Sequence, residues 1–241
     1  MFFRGDTASM ESVKVGDRTS LGDRMKTYEA VSGISICHRI PVIVRIDGRA
    51  FHTYTRKFGK KYSHEFNETM ALVGLAVQED MQGCELAYGQ SDEISFLLTD
   101  YKTIQTQGWF GYDLRKMISI SASIASSKFT KITGDTVAFD SRAFSIPQDE
   151  VCNYFIWRQQ DATRNAIQFA GREYFSDKEL YKKSCSNIQE MLFTKQGINF
   201  NDYHPIRKRG YCIAKGTIDT NIPIFTTNRD YVEKYVNVRE D

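Results

Sequence analysis

The chain has 241 residues, 41% hydrophobic and 26% charged, the composition of an ordinary globular domain with or without an extension. No apolar run approaches the roughly 18 residues that a membrane span needs, and the first residues hold no signal-peptide core, so a cytoplasmic protein is expected. A net charge of +2 gives no overall nucleic-acid footprint, and five scattered cysteines without a C-x-x-C pair argue against a disulfide framework or zinc site.

Residues 1–20 are polar and are expected to be flexible. LGDRMKTYEAVS from Ser20 reads as a short helix, with Leu21, Met25, Tyr28 and Val31 at helical spacing and Gly33 as its stop. PVIVRID alternates as a strand, which places Asp47 on the same face as Arg45 and opposite Val42, Val44 and Ile46. Gly48 allows a turn without Cβ strain. Arg56, Lys57, Lys60 and Lys61 form a basic loop before a helix from Ser63 to Met81, whose Phe66, Met70, Val73, Val77 and Met81 make one apolar stripe. CELAYGQ and DEISFLLTD form a hairpin with GQSD near its tip. A helix over residues 112–129 has Leu114, Met117, Ile118, Ser121, Ile124 and Ala125 as its inner stripe, and TVAFDSRAFSI supplies a fourth strand. Strand, helix, two strands, helix, strand is a ferredoxin-like α+β order, which predicts an antiparallel sheet with helices on one face and an open face for chemistry.

From Pro147 the texture is helical. PQDEVCNYFIWRQQDATRNAIQFA starts with proline and acids, SDKE at 176–179 is a capping box, and Gly197 is a C-cap. Arg207, Lys208 and Arg209 then form a basic turn before the strand-like YCIAK. With Lys182 and Lys183 this is the strongest local basic surface, either RNA-facing or simply solvated. Residues 217–241 carry no assigned role. The expected domains are therefore a catalytic unit at 21–146, a helical and basic, RNA-facing extension at 147–216 packed on it, and a tail at 217–241.

Two acidic clusters at strand ends, Asp47 and the pair Asp92–Glu93, carry the chemistry. Carboxylates brought close raise each other's pKa unless a cation sits between them. Magnesium typically takes one or two carboxylates together with substrate phosphates. A magnesium–nucleotide site at strand ends follows. Strict alternation would put Asp92 and Glu93 on opposite faces, a parity that a turn can override.

RIDGRAFH, Lys60, AYGQSDEISF and WRQQDA, in that order between about Gly22 and Lys215, resemble the tRNA-histidine guanylyltransferase family and its template-directed relatives. The resemblance implies a palm like that of polymerases and nucleotidyl cyclases, adding nucleotides to an RNA 5′ end in the 3′-to-5′ direction. It implies that Asp47, Asp92 and the Gly48 carbonyl hold two magnesium ions, with Glu93 as a catalytic neighbour or further ligand. It further implies that the amides from Gly48 through Arg49, Ala50 and Phe51 to His52 wrap a triphosphate. Lys60, Ser91, Arg115 and Lys116 join them at the nucleotide, and His52 orients it or packs.

The sequence departs from the members that add guanosine to histidine tRNA. Thr163 to Phe169 keeps only Asn165 of their HINNLYN run, and Ile188 stands where they have a lysine. The expected activity is therefore templated repair of truncated tRNA 5′ ends. ATP activates the end, ATP, GTP or another nucleoside triphosphate extends it, and the tRNA acceptor stem is the partner. Non-templated guanosine addition, a palm-type cyclase and a non-catalytic RNA-binding module are the alternatives. A homo-oligomer, possibly a tetramer, is a further expectation from the resemblance.

Overall fold

The computed structural model describes residues 19–55 and 63–239. The expectations for the first 18 residues and for the basic loop containing Lys60 therefore lie outside the described residues. Residues up to Gly33 and residues from Ile34 onward form two separate units. In the first, α1 (Leu21–Ala30) forms as expected, with the Ser20 hydroxyl capping the Asp23 amide. It buries none of its residues, and Leu21, Met25 and Tyr28 stay exposed.

The second unit is built on one sheet. Its strands are β1 (Val42–Gly48), β2 (Cys84–Gln90), β3 (Glu93–Leu98), β4 (Phe139–Ser145), β5 (Tyr211–Ala214) and β6 (Thr217–Asp219), in the spatial order β4-β1-β3-β2-β5-β6. Every neighbouring pair is antiparallel. The ferredoxin-like order read from the sequence is present, and the C-terminal part extends it. β5 and β6 add two strands to the β2 edge, β6 from the stretch that had no assigned role.

Period-two alternation sorts the strand residues. Val42, Val44, Ile46, Ala87, Ile94 and Phe96 face α3 (Ser63–Asp80) and α4 (Leu114–Thr133) in the main core, with Met70, Val73, Val77, Met117 and Phe129 packed against them. The α3 stripe is buried as the spacing required. α4 ends at Gly134, which takes the left-handed conformation of a C-cap at φ 74°.

The opposite face is not open. Ile43, Leu86, Tyr88 and Leu97 lie under Val151 and Phe155 of α5 (Val151–Tyr174) and under Ile222, Phe225, Val232 and Val236 of the C-terminal segment. Burying side chains of this kind contributes roughly 1.5–3 kcal/mol each, which favours roofing such a face over leaving it wet. Gln159 ties the roof down by donating to the Pro223 carbonyl at 2.9 Å and accepting from the Phe225 amide at 2.8 Å. A third cluster joins the far half of α5 to α6 (Asp177–Leu180) and α7 (Cys185–Gln196), with Ile188 and Leu192 fully buried in it. The capping box at Ser176 and Glu179 and the Gly197 C-cap form as read. No helix among the described residues is long and apolar enough to cross a membrane.

Candidate active site

Antiparallel register lines residues up across the sheet, and directly opposite residues share a face. At one end of the strands Asp140, Asp47, Glu93 and Gln90 form a row across β4, β1, β3 and β2 on the α5 side. Two residues further along, the row is Arg142, Arg45, Ser95 and Tyr88, and beyond it come Phe144, Ile43, Leu97 and Leu86. The face thus passes from carboxylates through guanidiniums to hydrocarbon. α5 follows the same gradient. Phe155 sits on the apolar part, the Tyr154 hydroxyl is 2.8 Å from that of Ser95, and Arg158 reaches the carboxylate row.

Asp47 and Asp92 are brought together. Asp92 lies in the two-residue turn between β2 and β3, where its carbonyl accepts the Gly48 amide at 3.1 Å and one carboxylate oxygen accepts the Ser91 hydroxyl at 3.2 Å. Burial, and then the neighbouring Asp47, push the Asp92 carboxyl above its ordinary value. Burial and then Asp140 push Asp47 up, against the pull of Arg45, Arg142 and Arg158. Burial is the larger cause at both carboxylates, and a cation between them would offset the charge that these surroundings disfavour. Its hard oxygen donors, two carboxylates with the Gly48 carbonyl adjoining, fit magnesium sharing substrate phosphates. Among the described residues no group of three or more acidic, histidine or cysteine side chains makes a cage on its own. Gly48 suits such a turn because a Cβ there would come within 2.3 Å of the Phe51 ring.

Several expected site residues stand elsewhere. Glu93 was read as catalytic, yet Arg158 grips both its oxygens, Nε to Oε1 at 2.7 Å and Nη2 to Oε2 at 2.8 Å. Burial still raises its carboxyl, outweighing Arg158 and Arg45. Parity is thus decided: Glu93 shares the face of Asp47, and Asp92 belongs to the turn. Of the expected amide wrap, the Gly48 and Arg49 amides are spent on the carbonyls of Asp92 and Ala138. Ala50 sits at φ 57° just before the short α2 (Phe51–Thr55). The Phe51 side chain is core, packed on Phe66, Phe129 and Phe139, so only its amide could serve a ligand. His52 is exposed and close enough to Asp92 to draw its carboxyl down slightly.

Arg115 and Lys116 are not at the site. They occupy the first turn of α4, where the Asp113 carboxylate caps the Lys116 amide at 3.1 Å and pairs with Arg115 at 3.3 Å. α4 reaches the carboxylate end only near Ser126, whose hydroxyl accepts the Phe139 amide. That is eleven residues on from Arg115, or about 16 Å along the axis.

The basic residues divide. Lys182 and Lys183 lie exposed between α6 and α7. In α8 (Pro205–Arg209), Arg207 pairs with Glu173 at 2.5 Å and stacks on Tyr203, the Lys208 ammonium donates to the Asn201 carbonyl, and Arg209 Nε donates to the Ile222 carbonyl at 2.8 Å. Arg207 and Arg209 still line a cleft that opens beside Ser91. Sequence reasoning overlooked Arg158, Asp140, Arg142 and Gln90. For Arg158 a signal existed: an arginine on the stripe Val151, Phe155, Ala162 must find a buried partner.

A palm-type sheet whose strand ends gather carboxylates, with basic residues along an adjoining cleft, is the active-site end of a nucleotidyltransferase. Residues 22–147 match the family model of the tRNAHis guanylyltransferases, and the chain belongs to that family. A bacterial tRNA(His) guanylyltransferase-like protein solved in complex with ATP is 42% identical, with a TM-score of 0.87 over 90% of this chain and 100% of that one. One solved in complex with GTP is 39% identical, with a TM-score of 0.80 over 91% of this chain and 100% of that one. The probable tRNA(His) guanylyltransferase of Dictyostelium discoideum is 29% identical over 78% of each chain.

Proposed function

We propose that this guanylyltransferase-family enzyme extends the 5′ ends of truncated tRNA in the 3′-to-5′ direction against a template, using ATP to activate the end. The observation that carries the reading is the Asp47–Asp92 pair, both carboxyls raised by burial and by a neighbouring carboxylate, beside a basic cleft, in a chain similar to proteins solved with ATP and with GTP. In the first step an oxygen of the RNA 5′-monophosphate attacks the α-phosphorus of ATP and pyrophosphate leaves. In the second, the 3′-hydroxyl of an incoming nucleoside triphosphate attacks the activated 5′-phosphorus and AMP leaves. The RNA gains a residue carrying a triphosphate.

Asp47 and Asp92, with the Gly48 carbonyl, would hold the two magnesium ions, which supply charge neutralisation at the entering and leaving oxygens. The chain's own residues position the reactants. Asp47 and Asp92 fix the phosphates relative to the strand ends, the amides of Ala50 to His52 and the Ser91 hydroxyl face them, and Lys60 would join from outside the described residues. Glu93, held by Arg158, positions α5 over the sheet rather than touching the reacting atoms. Arg207 and Arg209, with Lys182 and Lys183, provide the RNA-facing charge.

Two residues favour repair over histidine-specific guanosine addition. Ile188 is fully buried in the third core, so the position where the other branch has lysine cannot meet RNA here. From the divergent run 163–169, Phe169 lines the cleft where the other branch has asparagine. The test is extension of a 5′-monophosphorylated tRNA lacking its first nucleotide, with ATP, Mg²⁺ and each nucleoside triphosphate in turn. Incorporation only of the nucleotide complementary to the opposite strand, abolished in Asp92→Ala, is expected. Guanosine addition whatever the template would assign the enzyme to the histidine-tRNA branch, and no extension of any RNA would refute the proposal.

A further inference from the structure

Gln90 is nine-tenths buried, and no described residue forms a hydrogen bond with its carboxamide. Gln90 lines the cleft beside Ser91. Across that cleft stand Asn165, Phe169 and the small Ala166 of α5, with Arg209 at the rim. Asn165 makes only a long contact with Asp161, 3.4 Å from its Nδ2, and among the described residues Arg209 is hydrogen-bonded only through Nε. The lining therefore offers two carboxamides, each both donor and acceptor, together with an aromatic ring and a guanidinium. That is the chemistry that recognises the edge and face of a nucleobase.

Its place in the sheet fits as well. Asp47, Glu93 and Gln90 are successive members of one row, so Gln90 is two strand spacings, about 10 Å, from the Asp47 position. Glu93, between them, is closed off by Arg158. A base in the cleft would thus hang from phosphates at the carboxylates.

We infer that the cleft between Gln90 and Asn165 is a nucleobase pocket, with the Gln90 carboxamide reading the hydrogen-bonding edge of the base. The inference rests on the nucleotidyl-transfer reading of the neighbouring carboxylates. The base belongs either to a mononucleotide or to the RNA end, since both present the same edge.

The test is calorimetric titration of the whole protein, in magnesium buffer, with ATP, with GTP and with a 5′-monophosphorylated tRNA. Wild type is compared with Gln90→Leu and with Ala166→Phe, which fills the cleft from the helix side. Both variants are expected to weaken one class of probe at least tenfold, while Gln90→Leu melts close to wild type because no described residue is hydrogen-bonded to the carboxamide. Weakening confined to ATP or GTP assigns the base to the mononucleotide, and weakening confined to tRNA assigns it to the RNA. Kd values within threefold of wild type for all three probes in both variants would overturn the inference, as would a Gln90→Leu protein several degrees less stable, since the amide would then be structural. Binding is read without turnover, so a protein that extends no RNA but loses probe affinity in these variants would refute the repair chemistry and leave the pocket standing.

Discussion

Arg158→Met tests whether α5 is locked to the sheet by one ion pair. The side chains of Arg158 and Glu93 are only 7% and 11% exposed and share two hydrogen bonds. Removing the guanidinium leaves a buried carboxylate next to Asp47, which already repels it, with only the longer Arg45 contact of 3.8 Å. Breaking a buried pair from one side costs about 3–5 kcal/mol. At roughly 2–4 °C per kcal/mol for a chain of this size, the melting temperature should fall by about 6–20 °C. Burial holds the Glu93 carboxyl above its ordinary value, and losing Arg158 lifts it further. A group whose folded pKa lies above its unfolded one binds more protons when folded, so stability falls as pH rises between the two values. The loss should therefore be larger at neutral pH than in mild acid, because protonation of Glu93 removes its need for a partner. Glu93→Gln alone should cost less, and the double variant should recover most of the loss. Scanning calorimetry of the full cycle decides the matter: a coupling energy below about 0.5 kcal/mol, the scatter of independent sites, would refute the reasoning.

The same linkage applies to the two carboxylates proposed to hold magnesium. Asp47 and Asp92 have raised folded pKa values, so each destabilises the metal-free protein as pH climbs above the ordinary carboxylate value. Asp47→Asn should melt higher than wild type at pH 7 without divalent cation and gain nothing from Mg²⁺. Wild type at a hundred times its Mg²⁺ Kd should gain about 2.7 kcal/mol in a thermal shift series. Gly48→Ala puts a Cβ 2.3 Å from the Phe51 ring, which is wedged among other aromatic side chains. Overpacking of that kind costs about 1–3 kcal/mol, and extension should fall with it, both measurable on one preparation. Gly210→Ala meets the Gly89 carbonyl oxygen at 2.2 Å at a φ of 82°, where no side chain can yield. Urea unfolding should show a loss of about 1–3 kcal/mol, and an unchanged midpoint would refute the strain argument.

The parts of the fold legible in the sequence are those whose pattern is local. β1 and the hairpin declare themselves by alternation, and α3 by Phe66, Met70, Val73, Val77 and Met81 on one stripe. What stayed hidden depends on distant partners. The part of the cover beyond α5 comes from Ile222, Phe225, Val232 and Val236, which lie in irregular stretches and a single helical turn with no period to read. β5 and β6 span four and three residues, too few for alternation to stand out. Glu93 looked like a metal ligand because its partner lies 65 residues away on a helix. Gln90 looked like part of a motif, and only the fold shows it lining a cleft with Asn165.

The misplacement of Arg115 and Lys116 has a topological cause that the strand order itself contains. β1 runs toward the carboxylate end, so α3 starts there and leads away, and β2 returns to it. β3 then departs from the Ser91–Asp92 turn, so α4 must begin at the far end and come back. Its first turn is therefore the part of α4 most distant from Asp47, whatever charge it carries, and its last turns deliver β4 with Asp140 to the row. β4 departs again, α5 returns, and Arg158 arrives two turns into it. Each antiparallel reversal decides which end of an element can reach the chemistry. The residues that gather at Asp47 (the hairpin turn, the start of β4, the middle of α5 and the approach to β5) are those the chain passes on its visits to that end.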